Sequence, residues 1–241
     1  MTSRPLDTRA AGALMIAAAI TSIVFILLDR EPSGTGARAL LESLASIAPW
    51  RRLVHVVESA CVLSFAFGMA SLAVRLDLRR PSVLLGMLTW LAGAMAMLGA
   101  AVTDGFITSD IAVRYLLPNH DPQAGLELVR LASIAVQDLA TMSWVLQSVG
   151  VMALSTALVA DGGFHRRIGV VGLVTALPVI ALVTLASFID QTTIVVILLA
   201  QMGWNLASAW LLMRGERRDG ITASGGVLQP APMSRAHSAA S

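Results

Sequence analysis

The sequence predicts an all-α integral membrane fold, a six-transmembrane-helix bundle with both termini cytoplasmic, and three observations carry that expectation. The 241 residues are 56% hydrophobic and 13% charged, with a mean hydropathy of +0.75, outside the range of ordinary water-soluble domains. Apolar runs of roughly 20 residues recur along the chain, each long enough to cross a hydrocarbon core of about 30 Å as a helix. The arginines, finally, divide unevenly between alternate connections.

Taken in order, residues 1–9 form a short polar tail with Arg4 and Arg9. The first span follows at about residues 10–28; it is longer than the roughly 7 to 15 residues of a signal-peptide core and has no small-x-small cleavage site directly after it, so it reads as a retained helix. Pro32, Gly34 and Gly36 then break the helical pattern, and Leu40, Leu41, Leu44 and Ile47 return at helical spacing before Pro49 and Trp50. That segment is expected to be a short amphipathic helix in the membrane interface, ended by Pro49 and anchored by Trp50, with a lid over a pocket as the alternative.

The second span, about residues 53–74, returns through the basic turn Arg75, Arg79, Arg80 to Pro81, a residue suited to a first helical turn. The third, about 82–103, places Thr89, Gly93, Ala96 and Ala100 along one side, a small-residue stripe that lets helices approach closely. Asp104 and Gly105 are expected to open a long loop, near whose middle Asp121 is a predicted N-cap and Pro122 the first residue of a helix running to Ala160. The fourth span occupies about 138–160 of that helix, whose first turns should project from the membrane. Spans at about 168–189, with a kink at Pro178, and 192–213, after a tight turn at Asp190, complete the domain 10–213. Residues 214–241, rich in Arg, Gly, Ser, Ala and Pro, have the composition of a disordered cytoplasmic tail.

All 17 basic residues are arginine: eleven fall on the side of the two tails, with five acids, and six on the other side, with ten acids. The positive-inside rule then puts both termini in the cytoplasm of a multi-pass protein of the bacterial inner membrane. The basic cytoplasmic rim should attract anionic lipid head groups of the surrounding bilayer, and the basic pI is no argument for nucleic-acid binding. Cys61 stands alone, which excludes an intrachain disulfide and a multi-cysteine metal site.

Chemistry is sparse. His55 and Glu58, three apart on one helix face, are expected at the same outer level as Asp104, Asp138 and Asp190. Ionisable groups in a span cost a few kcal/mol each and usually face a bundle interior or a water-filled cavity. A histidine among carboxylates can relay protons or bind a divalent metal, for which His55, Glu58 and Asp104 are the candidate ligands, although no HExxH or other diagnostic spacing occurs. The plainer reading pairs His55 with Glu58 and with Arg51 or Arg52, and leaves the other acids as solvated helix ends. Deeper, Gln147 and Gln201 each sit about nine residues into their spans; Gln201, Trp204, Asn205 and Ser208 share one helix side, as do Thr141, Trp144 and Ser148. Interhelical hydrogen bonds, worth roughly 0.6 to 2 kcal/mol each, account for these most simply, and a polar path from the outer cluster is the alternative.

Three classes of function are compatible with this pattern: an outward-facing polar pocket (His55, Glu58, Asp104, Asp138, Asp190, Gln147, Gln201, Asn205) that binds or moves a small solute or protons, a membrane-embedded enzyme acting on a lipid or isoprenoid, or a non-catalytic subunit packed against a membrane-protein partner or a second copy. No catalytic motif is present, so no catalytic residue is assigned, and no particular cofactor is implied.

Overall fold

The computed structural model describes residues 8–185 and 191–214, and the chain is helical almost throughout them. Helix α1 is Thr8–Leu28, α2 Ala37–Arg75, α3 Pro81–Val102, α4 Thr108–Tyr115, α5 Pro122–Asp161, α6 Gly163–Leu185 and α7 Gln191–Arg214. A five-residue π-helical turn, Thr103–Ile107, joins α3 to α4 without a break. Among the described residues six helical segments are long and apolar enough to cross a membrane, α3 counting together with the π-turn and α4 as Pro81–Tyr115. The tail before Thr8, the turn containing Asp190 and the segment after Arg214 lie outside the described residues.

The six long helices form a closed ring in chain order: α1 packs on α2, α2 on α3, α3 on α5, α5 on α6, α6 on α7, and α7 back on α1. Small residues set the closest crossings. A Cβ on Gly93 would stand 2.8 Å from Ser143 O, and one on Gly150 would stand 2.8 Å from Gly86 O, so α3 and α5 meet nearly backbone to backbone. Of the expected α3 stripe, Gly93 and Ala100 are buried, whereas Thr89 and Ala96 are half-buried and the seam runs on through Gly86. Gly12 does the same where the ring closes, with Ala209 O 2.6 Å from a Cβ there. Exposed apolar side chains such as Leu63, Leu88, Met95, Val174 and Leu199 cover the outside of the ring, a surface suited to lipid rather than water.

Two expectations fail instructively. Pro49 does not end a separate interfacial helix; it lies inside α2, which runs 39 residues. A proline there removes one backbone hydrogen bond and costs about 3 kcal/mol. Against that cost, Leu41, Leu44, Ala48, Arg51, Val54 and His55 make one continuous buried face across it. Trp50 is likewise no free interfacial anchor: its Nε1 donates to Leu28 O at 3.0 Å, capping the end of α1, and its ring stacks on Phe25. Nor do Asp104 and Gly105 open a loop. They sit in the π-turn, where the hydroxyls of Thr108 and Ser109 donate back to the carbonyls of Asp104 and Gly105, and the helix continues to Tyr115. The predicted cap is present, with Asp121 accepting from Gln123 N at 2.9 Å and Pro122 opening an unbroken 40-residue α5.

Three helices therefore extend past the ring at the end where α1 joins α2. The first turns of α2, helix α4 and the first turns of α5 pack there around Leu41, Leu44, Ala112 and Val129. At the opposite end, Arg75 Nη1 donates to Leu211 O at 2.7 Å, and Arg80 bridges to Asp161 at 2.5 Å, which raises the Arg80 pKa. These polar contacts tie the α2–α3 turn to α7 and α5.

Candidate functional site

Helix periodicity and the π-turn together assemble the site. Arg51, His55 and Glu58 follow at intervals of four and three on α2, so their side chains share a face. The π-turn, with one extra residue per turn, carries Asp104 onto that face. Asp104 Oδ1 forms an ion pair with Arg51 Nη2 at 2.6 Å, and Asp104 Oδ2 lies 3.2 Å from His55 Nε2. On the other side of the ring, His55 Nδ1 lies 2.9 Å from Glu58 Oε2. The result is a chain of alternating basic and acidic side chains, Arg51, Asp104, His55, Glu58, with Arg51 and His55 buried at 8% and 6% exposure. Gly105 makes room for it: a Cβ there would lie 2.6 Å from His55 Cβ and Cδ2. Beside the chain, Arg52 pairs with Asp110 at the exposed rim.

This chain forms one end of a cavity of about 250 Å³ inside the helix ring. Five of the six long helical segments line it, α6 being the exception. His55, Glu58 and Asp104 stand at the end nearer the α1–α2 connection. Phe65, Trp90 and Trp144 supply aromatic wall, and Gln147, Gln201 and Asn205 place amides among otherwise apolar side chains. From Asp104 back to Trp90 along α3 is about 20 Å at 1.5 Å per residue, so the cavity reaches well into the bundle.

Of the residues singled out from the sequence, His55, Glu58, Asp104, Gln147, Gln201 and Asn205 thus share one cavity. Asp138 is not among them; it is exposed on α5, while its neighbours Val136 and Ala140 line the space. Asp190 lies outside the described residues. The expected polar side of α7 divides in two. Gln201 and Asn205 turn to the cavity, whereas Trp204 and Ser208 are fully buried, with the Trp204 indole packed against Gly172 of α6.

Interhelical hydrogen bonding of the amides does not occur among the described residues. Gln147 Nε2 donates to Ser143 Oγ on its own helix at 3.1 Å. Asn205, though only 9% exposed, has no side-chain hydrogen bond among the described residues. Buried amides ordinarily find partners because leaving one unpaired costs about 1–3 kcal/mol. As for metal, His55 uses its two nitrogens in opposite directions, one towards each carboxylate, and no group of three His, Cys, Asp or Glu side chains among the described residues is arranged to hold an ion.

Sequence reasoning passed over four residues at or beside the site. Arg51 was legible only as a general partner near the interface, because its contact with Asp104 depends on the π-turn. Trp90 and Phe65 look like ordinary core residues, since an aromatic in an apolar span carries no mark of what it faces. Asp29, next after α1, is the fourth: Arg51, His55 and Glu58 act on it electrostatically, although desolvation dominates and raises its carboxyl pKa. Protein-family models, curated proteins and solved structures were each compared with this chain, and none matches it.

Proposed function

We propose that this is a multi-pass protein of the bacterial inner membrane, with both termini cytoplasmic, whose ring of helices encloses an outward-facing site that binds or moves a small solute having both a polar and an apolar part. One observation carries the reading. The ion-paired chain at His55 and the unpartnered amides at Gln201 and Asn205 line the same cavity, although they belong to separate helices and separate levels of the bundle. A merely structural polar network would satisfy its own members, since an unsatisfied network is worse than an apolar core. The arginine bias supports the orientation, and the basic rim supports contact with anionic lipid head groups.

Filling the cavity tests the reading. Ala140 lines the space, so Ala140→Trp should occupy it without touching the charged end. Native mass spectrometry of the mildly extracted wild type is expected to show a bound small molecule, or thermal-shift screening against amphiphilic solutes to reveal one, and Ala140→Trp is expected to abolish either signal while still eluting as a folded protein. A ligand signal that persists in the filled variant, or a wild type with no such signal in either assay, would refute it.

A further inference from the structure

We infer that the solute taken by this cavity is an organic monocation with an apolar body, its charge beside Glu58 and its body against Phe65, Trp90 and Trp144. This rests on the reading of the cavity as a binding site and names the class of molecule that fits it.

Among the described residues the ionisable groups on the cavity wall are His55, Glu58 and Asp104, and no arginine lines it. Arg51, the nearest, is engaged behind Asp104. The two carboxylates differ in what they have left to offer. Asp104 has a basic partner at each oxygen, Arg51 at Oδ1 and His55 at Oδ2. Glu58 has one, His55 at Oε2, so its Oε1 remains as an acceptor with no partner among the described residues. Each His55 ring nitrogen faces a carboxylate, Glu58 at Nδ1 and Asp104 at Nε2. On the wall itself two carboxylates stand against one histidine, so the lining carries net negative charge whatever the state of the ring.

An anion would add to that charge in a poorly solvated place, and a neutral solute would leave it uncompensated. A cation neutralises it. The walls suit the apolar rest of such a molecule: Trp90 and Trp144, 2% and 6% exposed, and Phe65 give it aromatic surface to pack on. Asn205 supplies the independent sign of a ligand, being nine-tenths buried, without a partner among the described residues and on the cavity wall, with a carbonyl oxygen able to face a positive group.

The test uses two probes of the same shape, benzyltrimethylammonium and its neutral carbon isostere neopentylbenzene, titrated against the full-length protein in mild detergent by tryptophan fluorescence and calorimetry. The cation should bind at least tenfold more tightly than the isostere. Glu58→Gln should remove at least that preference while leaving the isostere unaffected. The wild-type comparison needs no variant, so misfolding of Glu58→Gln would not rescue the idea. Equal affinity for the two probes would overturn the cationic class and leave the cavity as a binding site. Binding of neither probe would overturn both readings.

Discussion

Asp104 is the residue on which the site turns. Its carboxylate holds Arg51, buried at 8% exposure, and faces the His55 ring, so Asp104→Asn leaves a desolvated guanidinium without its counter-charge. Breaking a buried pair by removing one partner costs roughly 3–5 kcal/mol; with 26% of the Asp104 side chain exposed, the lower end, about 3 kcal/mol, applies. The neighbouring pair makes the control. Arg52 and Asp110 are both exposed, 41% and 67%, and Asp110→Asn should cost less than about 1 kcal/mol. Equilibrium unfolding in mixed micelles measures both, and similar losses in the two variants would contradict the distinction.

Among elements, the α3–α5 seam governs whether the ring closes. A Cβ at Gly93 meets Gln147 Cγ and Ser143 O, each 2.8 Å away, so Gly93→Val should destabilise by about 1–3 kcal/mol through overpacking. Gly99 on the same helix has only Leu139 near it, at 3.5 Å, and Gly99→Ala should be neutral or stabilising by up to about 1 kcal/mol, since alanine is the better helix former. The same unfolding assay separates the two.

What the sequence made legible also sorts by element. The six apolar helices, the Asp121 cap and the length of α5 follow from local rules of hydropathy, capping and proline placement. The run of α2 through Pro49 and the π-turn at Asp104 do not, because each is decided by tertiary packing that outweighs a local breaker signal. His55, Glu58 and Asp104 were recognisable because charge in an apolar setting is conspicuous. The aromatic wall was not, because which face of a helix borders empty space depends on all its neighbours at once.

At the scale of the molecule, the ring explains why the polar groups meet. Helices that pack in chain order and close on themselves leave their inward faces to share a centre, and the cavity occupies the half of that centre nearer the α1–α2 connection. In the proposed orientation that half opens outward, on the side where α2, α4 and α5 extend past the ring. Water should then reach Asn205 but not Ser208, one turn further on and fully buried. The most direct measurement introduces single cysteines at these two positions in a Cys61→Ala background and follows their modification by a cationic, membrane-impermeant methanethiosulfonate in intact spheroplasts, with Asn119→Cys reporting the outer face. Rapid labelling of Asn205→Cys from outside, with Ser208→Cys protected, is the predicted result. Labelling of Asn205→Cys only from the cytoplasmic side, or no faster than Ser208→Cys, would contradict an outward-facing cavity.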